Sequence, residues 1–148
     1  MKKQLIIFSA ALGMATLTHA QELSVNQVPS IIVNEFNKEF PKARDVEWEM
    51  EKGLYQVEFE TGWGRDHELW YDSAAILKRQ KEEMKISEIP ELIRESIENG
   101  YKGYSIEEVT RITEGEILVY HLELEGFLKQ DWELVVDAAG NVISKLAD

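Results

Sequence analysis

Carboxylates are the side chains of this chain most able to do chemistry, and they cluster. In Val46 to Glu60, VEWEMEKGLYQVEFE, Glu47, Glu49, Glu51, Glu58 and Glu60 alternate with apolar residues on both sides of Lys52-Gly53. A period of two is the period of a β-strand, so these carboxylates fall on one face of a hairpin while Val46, Trp48, Met50, Tyr55, Val57 and Phe59 face the other way. Glu68, Glu123, Glu125, Asp131 and Glu133 are expected on the continuation of the acidic face. Paired carboxylates serve general acid–base catalysis only where a cleft separates their pKa values, and an open strand face lacks one. A calcium site needs oxygens converging from a loop, not spread along strands. No metal or catalytic residue is therefore assigned. His67 in Arg65-Asp66-His67-Glu68 and His121 are the histidines outside the leader, and the chain has no cysteine. Zinc and thiol chemistry find no ligand set, and the absence of a glycine-rich phosphate loop leaves no cofactor to assign.

Docking is the remaining use of such a face. A row of like charges is costly in the free protein and complements a partner with a basic surface. Trp70 alternates onto the face of Glu68 and Trp63 sits between Gly62 and Gly64, so both are read as exposed aromatics of the kind enriched at protein interfaces. The expected partner-binding set is Glu47, Glu49, Glu58, Glu60, Trp63, Glu68, Trp70, Glu123, Glu125 and Glu133. Lys52, Lys78, Arg79 and Lys129 are the cations expected to neutralise it in part.

The elements that must position these residues follow from spacing. Ile32, Val33, Phe36 and Phe40 recur at helical intervals between Pro29 and Pro41. The hairpin follows, and Asp66 to Asp72 and Ala75 to Lys81 read as two more strands. The same order begins again at Ile89-Pro90: Leu92, Ile93, Ile97 and Tyr101 make a second helical stripe ended by Asn99-Gly100. Tyr120 to Glu125 then parallels Tyr55 to Glu60, and Glu133 to Asp137 parallels Glu68 to Asp72. This reads as an internal duplication, with units over residues 21–83 and 84–148. The expected fold is α+β: two tandem helix-plus-four-strand units forming an antiparallel sheet of about eight strands, with both helices on one face and the acidic face open.

Lys2 and Lys3, the apolar run Leu5 to Leu17 and Thr18-His19-Ala20 predict an export signal over residues 1–20, cleaved before Gln21. The apolar run is too short to span a bilayer, so no membrane insertion is expected after cleavage. The expected location is periplasmic or secreted. The formal charge of -12 becomes -14 once the two lysines leave, which excludes nucleic acid as a partner.

Val28-Pro29, Phe40-Pro41-Lys42-Ala43, Val46-Glu47-Trp48-Glu49, Gly53, Tyr55 to Glu60 and Glu68 to Asp72 together resemble the PepSY-like, β-lactamase-inhibitor-like exported proteins of Bacteroides-type bacteria. The resemblance covers nearly all of the chain after residue 20, and the second unit lacks the Phe-Pro-x-Ala and Val-Glu-Trp-Glu elements. It implies tandem helix-plus-four-strand units and non-catalytic binding or inhibition. The function expected is thus an exported, non-enzymatic binding protein, with inhibition of an envelope or secreted enzyme as its sharper form. A small-ligand or cation-binding envelope module is the alternative.

Overall fold

Both helices form where apolar residues recur at three-to-four spacing behind a proline, which lacks the N–H that a helix start would leave unpaired. In the computed structural model, which describes residues 21–62 and 64–147, α1 runs Ser30–Glu39 and α2 Glu91–Gly100. Pro29 and Pro90 stand at their N-caps, each preceded by a 3₁₀ turn. The expected signal segment and Trp63 lie outside the described residues.

Among the described residues, nine strands make one antiparallel sheet whose spatial order is the chain order: β1 Gln21–Leu23, β2 Arg44–Glu51, β3 Leu54–Thr61, β4 Arg65–Tyr71, β5 Leu77–Glu83, β6 Tyr104–Glu114, β7 Ile117–Gly126, β8 Trp132–Asp137 and β9 Val142–Ala147. The sequence led to about eight, and the extra strand is β1. Its three residues have no hydrophobic period and are strand only because they pair with Trp48 to Met50 of β2. The β2–β3 turn forms as expected, Lys52 and Gly53 taking φ 49° and 84°, the pair of positive values that a two-residue hairpin turn requires.

One face of the sheet carries both helices and two hydrophobic clusters. Under α1, Ile32 and Phe36 pack on Trp48, Val57, Phe59, Leu69 and Tyr71. Under α2, Ile93 and Ile97 pack on Val109, Tyr120, Leu122, Leu124, Leu134 and Val136. Between the clusters the same face turns polar: Glu82 of β5 accepts from Arg65 at 3.1 Å and pairs with Arg111 of β6, while Arg65 reaches Glu88 at 2.7 Å. Two apolar patches, each capped by its own helix, are thereby carried on one continuous sheet.

One face assignment needs correction. Val46 was expected inward with Trp48, but it is exposed. Asp45 takes φ 51° and the β2–β3 register shifts between Arg44 and Glu47, so a bulge turns Val46 out of the alternation.

Candidate functional site

Strand register alone brings the acidic residues together on the face opposite α1 and α2. Glu47 of β2 lies opposite Glu58 of β3, Glu58 opposite Glu68 of β4, and Glu68 opposite Lys81 of β5. One row along, Glu49 faces Gln56 and Gln56 faces Trp70, while Glu60 faces Asp66. Directly opposite side chains sit about 5 Å apart at Cβ, close enough for like charges to cost stability. The row is relieved at its ends. Lys81 reaches Glu68 at 3.1 Å, Arg44 reaches Glu60 at 3.8 Å, and Gln56 Nε2 donates to Glu58 at 2.9 Å and Glu68 at 3.2 Å. Among the described residues no cation forms an ion pair with Glu58 in the middle, and the charge of Lys81 relieves it only in part. Burial, then the charges of Glu68, Glu49 and Glu47, push its carboxyl above the usual range.

The second half of the sheet contributes a matching row, Glu108 of β6 opposite Glu123 of β7 and Glu123 opposite Glu133 of β8. Burial, then Glu123 and Glu83, raise the Glu108 carboxyl as well. The two rows are linked diagonally. A hollow of about 310 Å³ takes in Glu47, Glu58, Glu60, Asp66 and Glu68, and a second of about 250 Å³ takes in Asp66, Glu68, Lys81, Glu83, Glu108 and Thr110. Glu125 continues the β7 alternation beyond Glu123, beside Asp131 and Glu133. The acidic pattern is interrupted in this half, since Ile112 pairs with Val119 and His121 with Val135 on the same face. His121 Nε2 lies 3.8 Å from Glu133.

Trp70 lies on this face, but as an internal brace. Only 3% of it is accessible, against the exposure expected from the sequence. Its indole N–H donates to Glu51 Oε2 at 2.7 Å, and Arg79 and Lys81 sit 4.9 and 5.4 Å from its ring centroid. The cations cover the ring because β5 puts Arg79 opposite Trp70 and Lys81 beside it. The same arrangement sets the Glu51 carboxyl: burial alone would raise it, but the Trp70 bond, Lys52 and Arg79 together hold it below the usual range. Of the cations expected to neutralise the face, Lys52 does so at Glu51 and Arg79 over Trp70. Lys78 pairs instead with Asp72 in a turn, and Lys129 lies over Tyr104. Lys81, which sequence reasoning passed over, does the work at Glu68, and the Arg79-x-Lys81 alternation was the signal for it.

His67 belongs to the other face, as alternation with Glu68 requires. It stacks on Phe59 with centroids 4.9 Å apart, and its Nε2 is 2.6 Å from Thr61 Oγ1. Burial lowers its pKa and so favours the neutral ring. It is a core residue, not a member of an acid–base pair. Also outside the sequence reading are Phe127 and Leu128 in the β7–β8 turn, 86% and 91% exposed.

A family model described as "Putative beta-lactamase-inhibitor-like, PepSY-like" matches residues 14–79 and again residues 53–144. The chain belongs to this family. Among solved structures, a DUF2874 family protein from Bacteroides uniformis is 20% identical, with 80% of this chain and 88% of that one covered and a TM-score of 0.66. A structure from Bacteroides eggerthii described as "putative periplasmic proteins" is 15% identical over 81% and 88%, TM-score 0.68. A BLIP-like protein from Bacteroides fragilis is 17% identical over 80% and 85%, TM-score 0.64. At such identities these likenesses establish the fold. No curated protein matches the chain.

The acidic row carries its own test. A raised folded-state pKa means that Glu58 and Glu108 favour the folded state fully below the ordinary glutamate value of 4.5 and that this advantage is lost as pH rises through their higher folded values. Glu58→Gln is therefore expected to be more stable than the parent at pH 7 by a few tenths of a kcal/mol, because the side chain is partly exposed and screened. The difference is expected to disappear below pH 4.5, and to shrink as sodium chloride rises from about 0.01 to 0.3 M. Urea unfolding midpoints of the two proteins across pH and salt read this directly; a less stable Glu58→Gln at pH 7 would mean that the row is not repulsive.

Proposed function

We propose that the chain is a periplasmic, non-enzymatic binding protein whose open acidic sheet face engages a basic surface of a protein partner. One observation carries this reading: Glu47, Glu58 and Glu68 are held directly opposite one another on the face opposite α1 and α2, and among the described residues no cation pairs with Glu58, whose charge Lys81 relieves only in part. Such a row costs the free protein stability, and a basic partner would convert the cost into affinity and a fast, salt-dependent encounter. Glu123, Glu125 and Glu133 extend the surface, and Trp70 stiffens it from within. The export signal predicted from the sequence of residues 1–20 and the neighbour described as periplasmic support the location. The BLIP-like neighbour supports inhibition of an envelope or secreted enzyme as the form that binding takes. The family model's two overlapping matches and the recurring order of helix and four strands support tandem units over residues 21–83 and 84–148. Among the described residues no helix is long and apolar enough to cross a membrane.

The test is capture from a periplasmic extract on immobilised parent protein and on Glu49→Lys with Glu58→Lys, followed by mass spectrometry and by binding of the purified captured protein. A specific partner is expected to be retained by the parent, lost on the double variant by at least about tenfold in affinity, and weakened by added salt. The double variant removes repulsion, so it is expected to fold at least as stably as the parent. Identical capture by both proteins would reject the acidic face as the docking surface. A rise in melting temperature with calcium, reversed by chelator, would move the function to the cation-binding class.

A further inference from the structure

His67 sits where the aromatic cluster under α1 meets the polar seam, and only 6% of it is accessible. Phe59 of β3 stacks on its ring, and Phe40 at the end of α1 lies 6.0 Å away. Its Nε2 is bonded to Thr61 Oγ1, while its Nδ1 is buried with no hydrogen-bond partner among the described residues. A neutral ring needs nothing more. A second proton adds a positive charge and, at Nδ1, a donor with no acceptor to meet it.

The charged groups around the ring are already committed. Glu82 of β5 lies directly opposite His67 in register, but its Oε1 accepts from Arg65 of β4 and its Oε2 pairs with Arg111 of β6. Glu88 of the 3₁₀ turn before α2 is held by the same Arg65. Asp66, next to His67 in β4, alternates onto the acidic face, and Glu35 and Glu39 of α1 act on Tyr71 farther along the strand. An imidazolium would therefore face two guanidiniums across a carboxylate that has no free oxygen to give it. Burial lowers the His67 pKa, and Arg65 and Arg111 outdo Glu82 and Asp66 enough to leave it lowered.

We infer that His67 is an acid-sensitive latch: taking up a second proton loosens the packing of α1 on β3 and β4 and with it the Glu47–Glu58–Glu68 row that these strands help to carry. The inference rests on the acidic face being the docking surface, since it assigns that surface a means of release in acid. A ring held neutral by the fold contributes stability that is fully present above the ordinary histidine value of 6.5 and is lost as pH falls through the lower folded value. Glu58 responds in the opposite sense, so a variant is needed to separate the two.

Amide hydrogen exchange of the parent and of His67→Phe, at about pH 7.5 and 5.0 and corrected for the intrinsic effect of pH, reads the latch on the free protein. On acidification, protection of α1, β3 and β4 in the parent is expected to fall at least about threefold more than that of α2, β7 and β8. In His67→Phe, which keeps an aromatic ring on Phe59, the two halves are expected to change alike. The ring resonances of His67 give a readout without a variant, since their titration should track the loss of protection in α1. Equal changes in the two halves of the parent, or the same half-selective loss in His67→Phe, would overturn the proposal. A purified partner captured on the acidic face is expected to lose affinity for the parent between about pH 7.5 and 5.0 by a larger factor than it loses for His67→Phe. Failed capture with the exchange difference intact would reject the docking surface and leave the latch, whereas a captured partner with the same pH dependence on both proteins would overturn the hold of His67 on the row.

Discussion

Phe59→Ala is expected to lower the unfolding free energy by about 3 to 5 kcal/mol, as deletions of buried aromatics do. Phe59 is 3% accessible and sits where the first helix meets the sheet. Its ring lies 4.9 Å from Phe36 at an interplanar angle of 77°, 4.7 Å from Phe40, and 4.9 Å from His67 in a near-parallel stack. Removing it empties the centre of three aromatic contacts, each worth something beyond its area. Leu124→Ala is expected to cost about 2 to 5 kcal/mol. Leu124 takes the place of Phe59 if the two halves are tandem copies, and it is as fully buried, in the cluster under α2. Urea denaturation of both variants gives the answer. A loss under about 1 kcal/mol at Phe59 would reverse the assignment of sheet faces. A neutral Leu124→Ala would break the proposed correspondence between the halves even if the fold stands.

The parts of this fold that could be read from the sequence are those in which one residue type repeats at one period. Ile32, Phe36 and Phe40 specify a helix face without help from the rest of the chain, and Lys52-Gly53 between two alternating runs specifies a hairpin. The acidic row belongs to the same class: once the hairpin turn is placed, Glu47 must face Glu58. What escaped the reading depends on neighbours in space. β1 is a strand only because β2 offers it an edge. Val46 turns outward because Asp45 adopts a positive φ and inserts a bulge, which no period encodes. Trp70 was placed on the correct face but with the wrong exposure, since its burial comes from Arg79 and Lys81 of β5 and from Glu51 of β2. The polar seam of Arg65, Glu82, Glu88 and Arg111 draws on β4, β5, β6 and the 3₁₀ turn before α2, so no single stretch announces it.

Gly140→Ala is the second substitution with a large expected cost, about 3 kcal/mol, combining the penalty of an L-residue at left-handed φ with a backbone collision. Gly140 takes φ 82° in the β8–β9 turn, and a Cβ there would lie 2.6 Å from the Leu92 carbonyl oxygen in the first turn of α2. The turn is tied to that helix by Ser96 Oγ, which donates to the Gly140 carbonyl at 2.7 Å, so the helix cannot withdraw freely. The β4–β5 turn supplies an internal control. There Ala75 holds φ 61° and donates its N–H to the Asp72 carbonyl at 3.0 Å, as Gly140 donates to Asp137 at 3.0 Å. The chain already tolerates a methyl at positive φ in one of these two turns, so φ alone cannot account for a large loss at the other. Ala75→Gly relieves strain but removes a methyl packed on the cluster under α1 and loosens the unfolded chain, and is expected to change stability by less than about 1 kcal/mol. A Gly140→Ala cost several times larger would locate the difference in the contact with Leu92, measured as the gap between the two unfolding free energies. Equal, small effects at both turns would mean that α2 does not rest on the β8–β9 turn.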